Sequence, residues 1–222
     1  MTRRIEMKKI FTKTALILLI IAVVSFIGHL FIYSKLPAQI PIQWGSDGSV
    51  NSYGEKYMDL VLAGIPIGII ILMSVSPHMD PRKASYLKHA GAYNILMIGV
   101  SLLLVACSWL SALAALGYNV NIQTLVPVAV GILFIVIGNR MPQIRSNYFF
   151  GIKTPWTLEN PDVWRKTHKF GGILFCMIGI VFIVVAFLPY KALTSIIIAP
   201  FIIGSVVLMY LYSYIIYKKI KA

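Results

Sequence analysis

Residues 14–33 of the chain read TALILLIIAVVSFIGHLFIY, a run without Asp, Glu, Lys or Arg. An α-helix rises about 1.5 Å per residue, so about 20 apolar residues cross the roughly 30 Å hydrocarbon core of a bilayer. Basic residues precede the run, but it is too long for a signal peptide and no small-x-small cleavage site follows it. The run therefore predicts a membrane-spanning helix that remains part of the protein.

Five further apolar blocks follow along the chain, at residues 60–76, 91–116, 120–138, 170–188 and 193–214. The fourth of the six blocks is the weakest, because Asn121 and Gln123 make its entry polar. The chain of 222 residues is 59% hydrophobic and only 12% charged, about half the charged share of a soluble domain. The sequence thus predicts an all-α integral membrane protein with six transmembrane helices.

The basic residues predict which side of the membrane each connection faces. In a soluble protein the net charge of +13 would indicate a nucleic-acid partner, but here Lys and Arg lie between the apolar blocks. With a cytoplasmic N-terminus, all but three of the 20 Lys and Arg residues fall inside, and Lys35, Lys56 and Lys191 fall outside. Cytoplasmic segments carry such an excess. We therefore predict a multi-pass protein of the cell membrane with both termini in the cytoplasm and no direct contact with nucleic acid.

Two parts of the chain are distinguished by their long connections. Residues 1–89 hold the first two spans and an extracytoplasmic loop, and residues 90–222 hold the other four spans and a long cytoplasmic loop. Cys107 and Cys176 both lie inside apolar blocks, so we expect no disulfide.

The outer loop, residues 34–59, reads SKLPAQIPIQWGSDGSVNSYGEKYMD. Its prolines favour an extended path with a short strand-like stretch at residues 40–44, and its glycines predict turns. Acidic and basic residues nearly balance, which leaves a compact, almost neutral cap with the aromatic residues Trp44, Tyr53 and Tyr57. Such a cap is expected either to bind a peptide or to rest on lipid headgroups with its aromatic rings at the interface.

The inner loop, residues 139–169, reads NRMPQIRSNYFFGIKTPWTLENPDVWRKTHK. Asn160, Pro161 and Asp162 are typical of a helix start: an N-cap, a proline at the first position and an acid at the positive end of the dipole. The helix would place Val163, Trp164, Thr167 and Gly171 on one face and Arg165, Lys166 and Lys169 on another. The basic face is expected to meet anionic lipid or an acidic cytoplasmic partner.

Catalytic and metal-binding patterns do not occur in the sequence. It has no HExxH, GxSxG or Walker A motif, and no His has another His or Cys three or four residues on. None of the seven carboxylates falls within a predicted span, and a proton-coupled transporter would be expected to have one there. We therefore expect no catalytic residues, metal or cofactor, and do not expect an enzyme.

Two runs of sequence resemble a known family. They are LPAQIPIQWGSDGSVNSYGEK in the outer loop and GNRMPQIRSNYFFGIKTPWTLENPDVWRKTHKFGG in the inner one. They resemble the SdpI family, bacterial immunity proteins of the sporulation-delaying-protein system, and the short extracytoplasmic module often found with it. The resemblance implies a membrane protein that protects its producer from a secreted toxin peptide. It also implies a possible signalling role, in which a cytoplasmic winged-helix autorepressor is held at the membrane. A small multi-span transporter or channel-like protein is the alternative.

The two loops supply the candidate partner-binding residues. Glycines and prolines among them are expected to fix the backbone rather than to touch a ligand. The outer candidates are Pro41, Trp44, Gly48 and Lys56, and the inner candidates are Asn139, Pro142, Asn147, Gly151, Thr154, Pro155, Trp156, Thr157, Trp164, His168, Arg165, Lys166 and Lys169.

Overall fold

A computed structural model describes residues 2–45, 47–188 and 192–221; Lys191, which the charge count assigns to the outer side, lies outside them. In chain order the elements are α1 (Thr2–Tyr33), β1 (Gln39–Trp44), β2 (Val50–Glu55), α2 (Met58–Met79), α3 (Ala84–Lys88), α4 (Ala90–Ala115), α5 (Ile122–Arg140), α6 (Pro155–Glu159), α7 (Pro161–Ala186) and α8 (Ala192–Lys221). A short 3-10 turn, Met141–Gln143, follows α5.

Six helices in this part of the chain are long and apolar enough to cross a membrane: α1, α2, α4, α5, α7 and α8. Large apolar side chains on their outer faces are exposed, as Phe31 shows with 78% of its surface accessible. Lipid is the solvent in which such a surface is stable. The prediction of an all-α, multi-pass membrane protein with six spans is confirmed.

The helix start predicted at Asn160–Asp162 is confirmed, because α7 begins at Pro161 and the Asn160 side chain accepts hydrogen bonds from its first turn. The same helix continues without interruption through the fifth span, which was predicted from residue 170. The second was predicted from residue 60, whereas α2 begins at Met58 and includes Asp59. The prediction that no carboxylate lies within a span is therefore wrong, because buried Asp59 is paired with His29.

The outer loop folds into an antiparallel hairpin of β1 and β2, with Gln39 opposite Glu55 and Trp44 opposite Val50. The sequence predicted only the first strand, at residues 40–44. Gly48 lies in the turn between the strands with a φ of +82°, a conformation that glycine adopts without strain.

Glycines bring α5 and α7 into backbone contact. A methyl group built on Gly138 would lie 2.5 Å from the carbonyl oxygen of Gly172, and one built on Gly131 would lie 2.6 Å from that of Gly179. On each helix the two glycines are seven residues apart, which is close to two helical turns, so both contacts lie on one face of the helix. Small residues of this kind allow transmembrane helices to pack closely, and they hold α5 and α7 together.

Candidate functional site

The outer cap, residues 34–45 and 47–57, is attached to the helices below it. The hydroxyl of Ser111 on α4 donates a hydrogen bond to the carbonyl oxygen of buried Pro41, with 2.7 Å between the oxygens. Gly48 lies against Gln123 at the start of α5. The Lys56 ammonium lies 4.8 Å from the centre of the Tyr33 ring. These three candidates therefore fix the position of the cap.

The exposed surface of the cap combines polar residues with two tyrosines. Tyr53 and Tyr57 are 58% and 57% exposed, and Trp44, at the end of β1, is half-buried. The candidate list contains only Trp44 of these three. Of the charged groups, Asp47 accepts hydrogen bonds from the hydroxyl and amide of Ser49, which lower the pKa of its carboxyl.

A buried polar cluster beneath the cap joins α1, α2 and α4. His29 Nδ1 lies 3.0 Å from both carboxylate oxygens of Asp59, and neither side chain is exposed. On the other side of the ring, His29 Nε2 lies 3.3 Å from Ser108 Oγ. Trp109 packs against the imidazole at 4.4 Å between ring centres, and its indole donates to Ser25.

The order Asp59, His29, Ser108 has the connectivity of a catalytic triad, but its environment is structural. The Ser108 hydroxyl donates to the carbonyl of Val105 and is buried, so a substrate has no access to it. Sequence reasoning missed the cluster because its members are far apart in the chain. Because α2 contains Asp59, the expected lack of an acidic residue within the spans no longer argues against a transporter.

In the inner loop, Asn147 organises the backbone around it. Its side-chain oxygen accepts hydrogen bonds from the amides of Phe149 and Phe150 at 3.0 and 2.8 Å, and its amide donates to the carbonyl of Arg145. The residue is fully buried. An amide with these partners holds a turn and is inaccessible to a partner protein.

The connection between α2 and α4 holds the inner loop from the other side, through residues that the sequence analysis did not single out. Buried Asp80 accepts hydrogen bonds from the Tyr148 amide at 2.9 Å and the Tyr86 hydroxyl at 3.0 Å. Arg82 donates to Ser146 and to the carbonyl of Leu158. Burial, followed by the hydrogen bond to Asp80, raises the pKa of Tyr86.

His89, at the start of α4, is also part of this contact. Its Nδ1 accepts a hydrogen bond from the Arg145 amide at 3.2 Å. Burial and, to a lesser extent, the positive charge of Arg145 lower the pKa of His89 to about 4. The imidazole is therefore neutral at physiological pH.

The TPWT segment forms a capping box that docks α6 on α8. The Thr154 amide donates to Thr157 Oγ1 at 2.8 Å, and the Thr157 amide donates to Thr154 Oγ1 at 3.2 Å. Thr154 also donates to Ser213 on α8. Pro155 occupies the first helical position, and the Trp156 ring packs against tyrosines of α8.

Trp164 and His168 fix the turn around Gly151. The Trp164 indole donates to the carbonyl of Ile144 at 2.8 Å. His168 Nδ1 donates to the carbonyl of Trp164, and its Nε2 accepts from the Ile152 amide at 3.0 Å. Gly151 has a φ of +111°, and a methyl group there would lie 2.5 Å from His168 Nε2. Only glycine fits this position.

Most of the inner candidates fall into two groups, and half-buried Trp156 lies between them. The first group is a buried frame that shapes the loop, and the second is exposed to solvent or headgroups. The frame contains Asn147, Thr154, Thr157, Trp164 and His168; the exposed candidates include Asn139, Pro142, Pro155, Arg165, Lys166 and Lys169. Arg165 forms an exposed ion pair with Asp162 at 3.1 Å. Among the described residues, no group of three or more His, Cys, Asp or Glu side chains is arranged to hold a metal ion.

Each of the two parts of the chain, residues 1–89 and 90–222, contains a segment that matches a family model. Residues 143–214 match the model of the SdpI/YfhL protein family, and residues 20–67 match that of a domain of unknown function, DUF1648. The chain is 27% identical to the "Immunity protein SdpI" of Bacillus subtilis (strain 168), over 94% of this chain and 98% of the relative. No solved structure matches it. The family match covers the inner frame, α7 and most of α8, and the relative aligns with almost the whole chain, so this chain is similar to the SdpI/YfhL family in these regions.

Proposed function

We propose that this chain is a membrane immunity protein that protects its producer against a secreted toxin peptide. The observation that carries the proposal is the near full-length similarity to an immunity protein, which extends through both loops and all six spans. Function depends on particular sites rather than on the fold alone, and an alignment over 94% of this chain includes both loops that could carry such sites.

The outer cap is the proposed recognition surface. A secreted peptide approaches from the side on which the cap lies in the predicted orientation. The cap offers exposed Tyr53 and Tyr57 beside half-buried Trp44, and aromatic anchors of this kind often dominate the energy of a binding surface. The bond from Ser111 to Pro41 holds the hairpin on α4, which reduces the entropy lost on binding.

A survival assay tests the proposal. Bacillus subtilis cells that lack their own SdpI would express this chain and be exposed to the sporulation-delaying toxin peptide. We expect the wild-type chain to restore survival and Trp44→Ala to reduce it, because the anchor is lost. Tyr118→Ala, at an exposed tyrosine between α4 and α5, is the matched control and should protect fully. Death of cells that carry wild-type chain in the membrane at the relative's level would refute the proposal.

The signalling role is proposed for the basic face of α7. Arg165, Lys166 and Lys169 are exposed on this face, opposite the buried frame, and in the predicted orientation they face the cytoplasm. An acidic surface of a winged-helix autorepressor would be attracted to them. The spans already anchor the protein, so attraction of these residues to anionic lipid adds little that is needed for localisation.

The signalling proposal is tested by measuring repressor recruitment and survival separately in one variant. Changing all three residues to Gln should abolish recruitment of a fluorescent candidate repressor to the membrane in toxin-treated cells and leave survival unchanged. Recruitment equal to that of the wild-type chain would assign the basic face to lipid alone.

A further inference from the structure

A cavity of about 360 Å³ lies between the parts of α4, α5, α7 and α8 that adjoin the inner loop. Its walls include Ala92 and Leu96 of α4, Ile137 of α5 and Phe175 of α7, and Phe150 contributes to its roof. The volume is within the range of small-molecule sites, about 300–1,000 Å³, which are mostly apolar with a few polar groups.

The buried frame of the inner loop keeps this roof in place. Asn147 binds the amide of Phe150, and His168 binds the amide of Ile152, on either side of Gly151. Phe150, Gly151 and Ile152 all line the cavity. Buried side chains therefore satisfy the amides of Phe150 and Ile152, while the apolar side chains of both residues line the cavity.

Arg140, at the last position of α5, is the one charged side chain among the lining residues. It is half-buried and forms no hydrogen bond or ion pair with any residue that the structure describes. A guanidinium beside an apolar wall is stabilised by an anion, and its planar fork matches the geometry of a phosphate.

We propose that the cavity binds one anionic phospholipid of the inner leaflet, with its phosphate on Arg140 and an acyl chain along the apolar walls. In the predicted orientation Arg140 lies at the inner face, where basic pockets between transmembrane helices bind lipid headgroups. A secreted peptide would approach from the opposite side. This inference is independent of the proposed immunity function.

Photo-crosslinking in vesicles tests the site. The full-length protein would be reconstituted with phosphatidylglycerol that carries a diazirine on an acyl chain, or with phosphatidylcholine that carries the same chain. We expect the segment 137–152 to be labelled about tenfold more by the anionic lipid, a ratio that corresponds to about 1.4 kcal/mol. Arg140→Gln should reduce this labelling to the phosphatidylcholine level, and Arg140→Lys should retain part of it.

Two further variants keep the test decisive. Arg145→Gln removes an exposed cation from the same loop that does not line this cavity, and it should label like the wild type. Ala92→Phe fills the cavity and should reduce labelling by both lipids. Variants are compared at equal elution volume in gel filtration, so that misfolded protein is excluded. Equal labelling by the two lipids, or Arg140→Gln labelling like the wild type, would overturn the proposal.

Discussion

The buried pair of His29 and Asp59 allows the most quantitative prediction. His29 Nδ1 lies 3.0 Å from each carboxylate oxygen of Asp59, and both side chains are fully buried. Asp59→Ala removes the carboxylate and leaves the buried imidazole without this partner. Removing one partner of a buried hydrogen-bonded pair costs about 1–3 kcal/mol, because the remaining polar group is left without its partner. We expect a loss of this size in the free energy of unfolding.

A double variant separates the loss of the polar contact between His29 and Asp59 from the loss of side-chain packing. Replacing both residues with Leu should cost much less than Asp59→Ala, because apolar groups of similar volume need no partner. Asp162→Ala serves as the control, since its ion pair with Arg165 is exposed and should contribute less than about 1 kcal/mol.

The assay is equilibrium unfolding in mixed micelles, followed by circular dichroism and tryptophan fluorescence. Trp109, one of the four tryptophans, lies 4.4 Å from His29 between ring centres, so its emission contributes a signal from the cluster. A loss below about 1 kcal/mol for Asp59→Ala, or a double Leu variant that loses as much stability as Asp59→Ala, would refute the buried-pair reasoning.

Three other predictions follow from the packing, the pKa values and the topology. Gly138→Leu should disrupt the contact of α5 with α7 and lower stability by about 1–3 kcal/mol or more, whereas Gly68→Leu, at a site with open space, should have little effect in the same unfolding assay. The folded protein keeps His89 neutral down to about pH 4, whereas the unfolded chain takes up this proton near pH 6.5. Stability should therefore fall by up to about 3 kcal/mol between these values, and His89→Gln should remove that part of the pH dependence of unfolding. In a cysteine-free background, an impermeant maleimide should label Ser49→Cys on intact cells and leave Lys169→Cys unlabelled; the reverse pattern would invert the topology.

Features governed by local sequence could be predicted. The six spans follow from hydropathy, since lipid selects long apolar helices, and the start of α7 follows from the side chain of Asn160 and the proline after it. The first strand of the cap was predicted from local sequence as well, because the prolines of the outer loop favour an extended backbone. Its partner strand was missed because residues 50–55, VNSYGE, include Asn, Gly and Glu, which are depleted in strands.

Features that depend on distant pairs could not be predicted. Nothing near His29 indicates that Asp59 and Ser108 will meet it, and nothing near Asp80 indicates its bond to the Tyr148 amide. Contacts with distant residues also bury His168, so its place in the buried frame could not be predicted, and it was proposed for partner binding instead. A capping-box reading of the TPWT segment was the one local signal that could have indicated a structural role there.

Site-specific photo-crosslinking on intact cells can detect contact between the toxin peptide and the outer cap. A photoreactive amino acid would replace Tyr53 in the cap or Tyr118 between α4 and α5, two tyrosines of similar exposure, 58% and 64%. After addition of the sporulation-delaying toxin peptide and illumination, we expect a covalent adduct with the peptide at position 53 and none at position 118. An adduct at 118 alone, or no adduct at 53 in cells that the protein protects, would contradict this expectation.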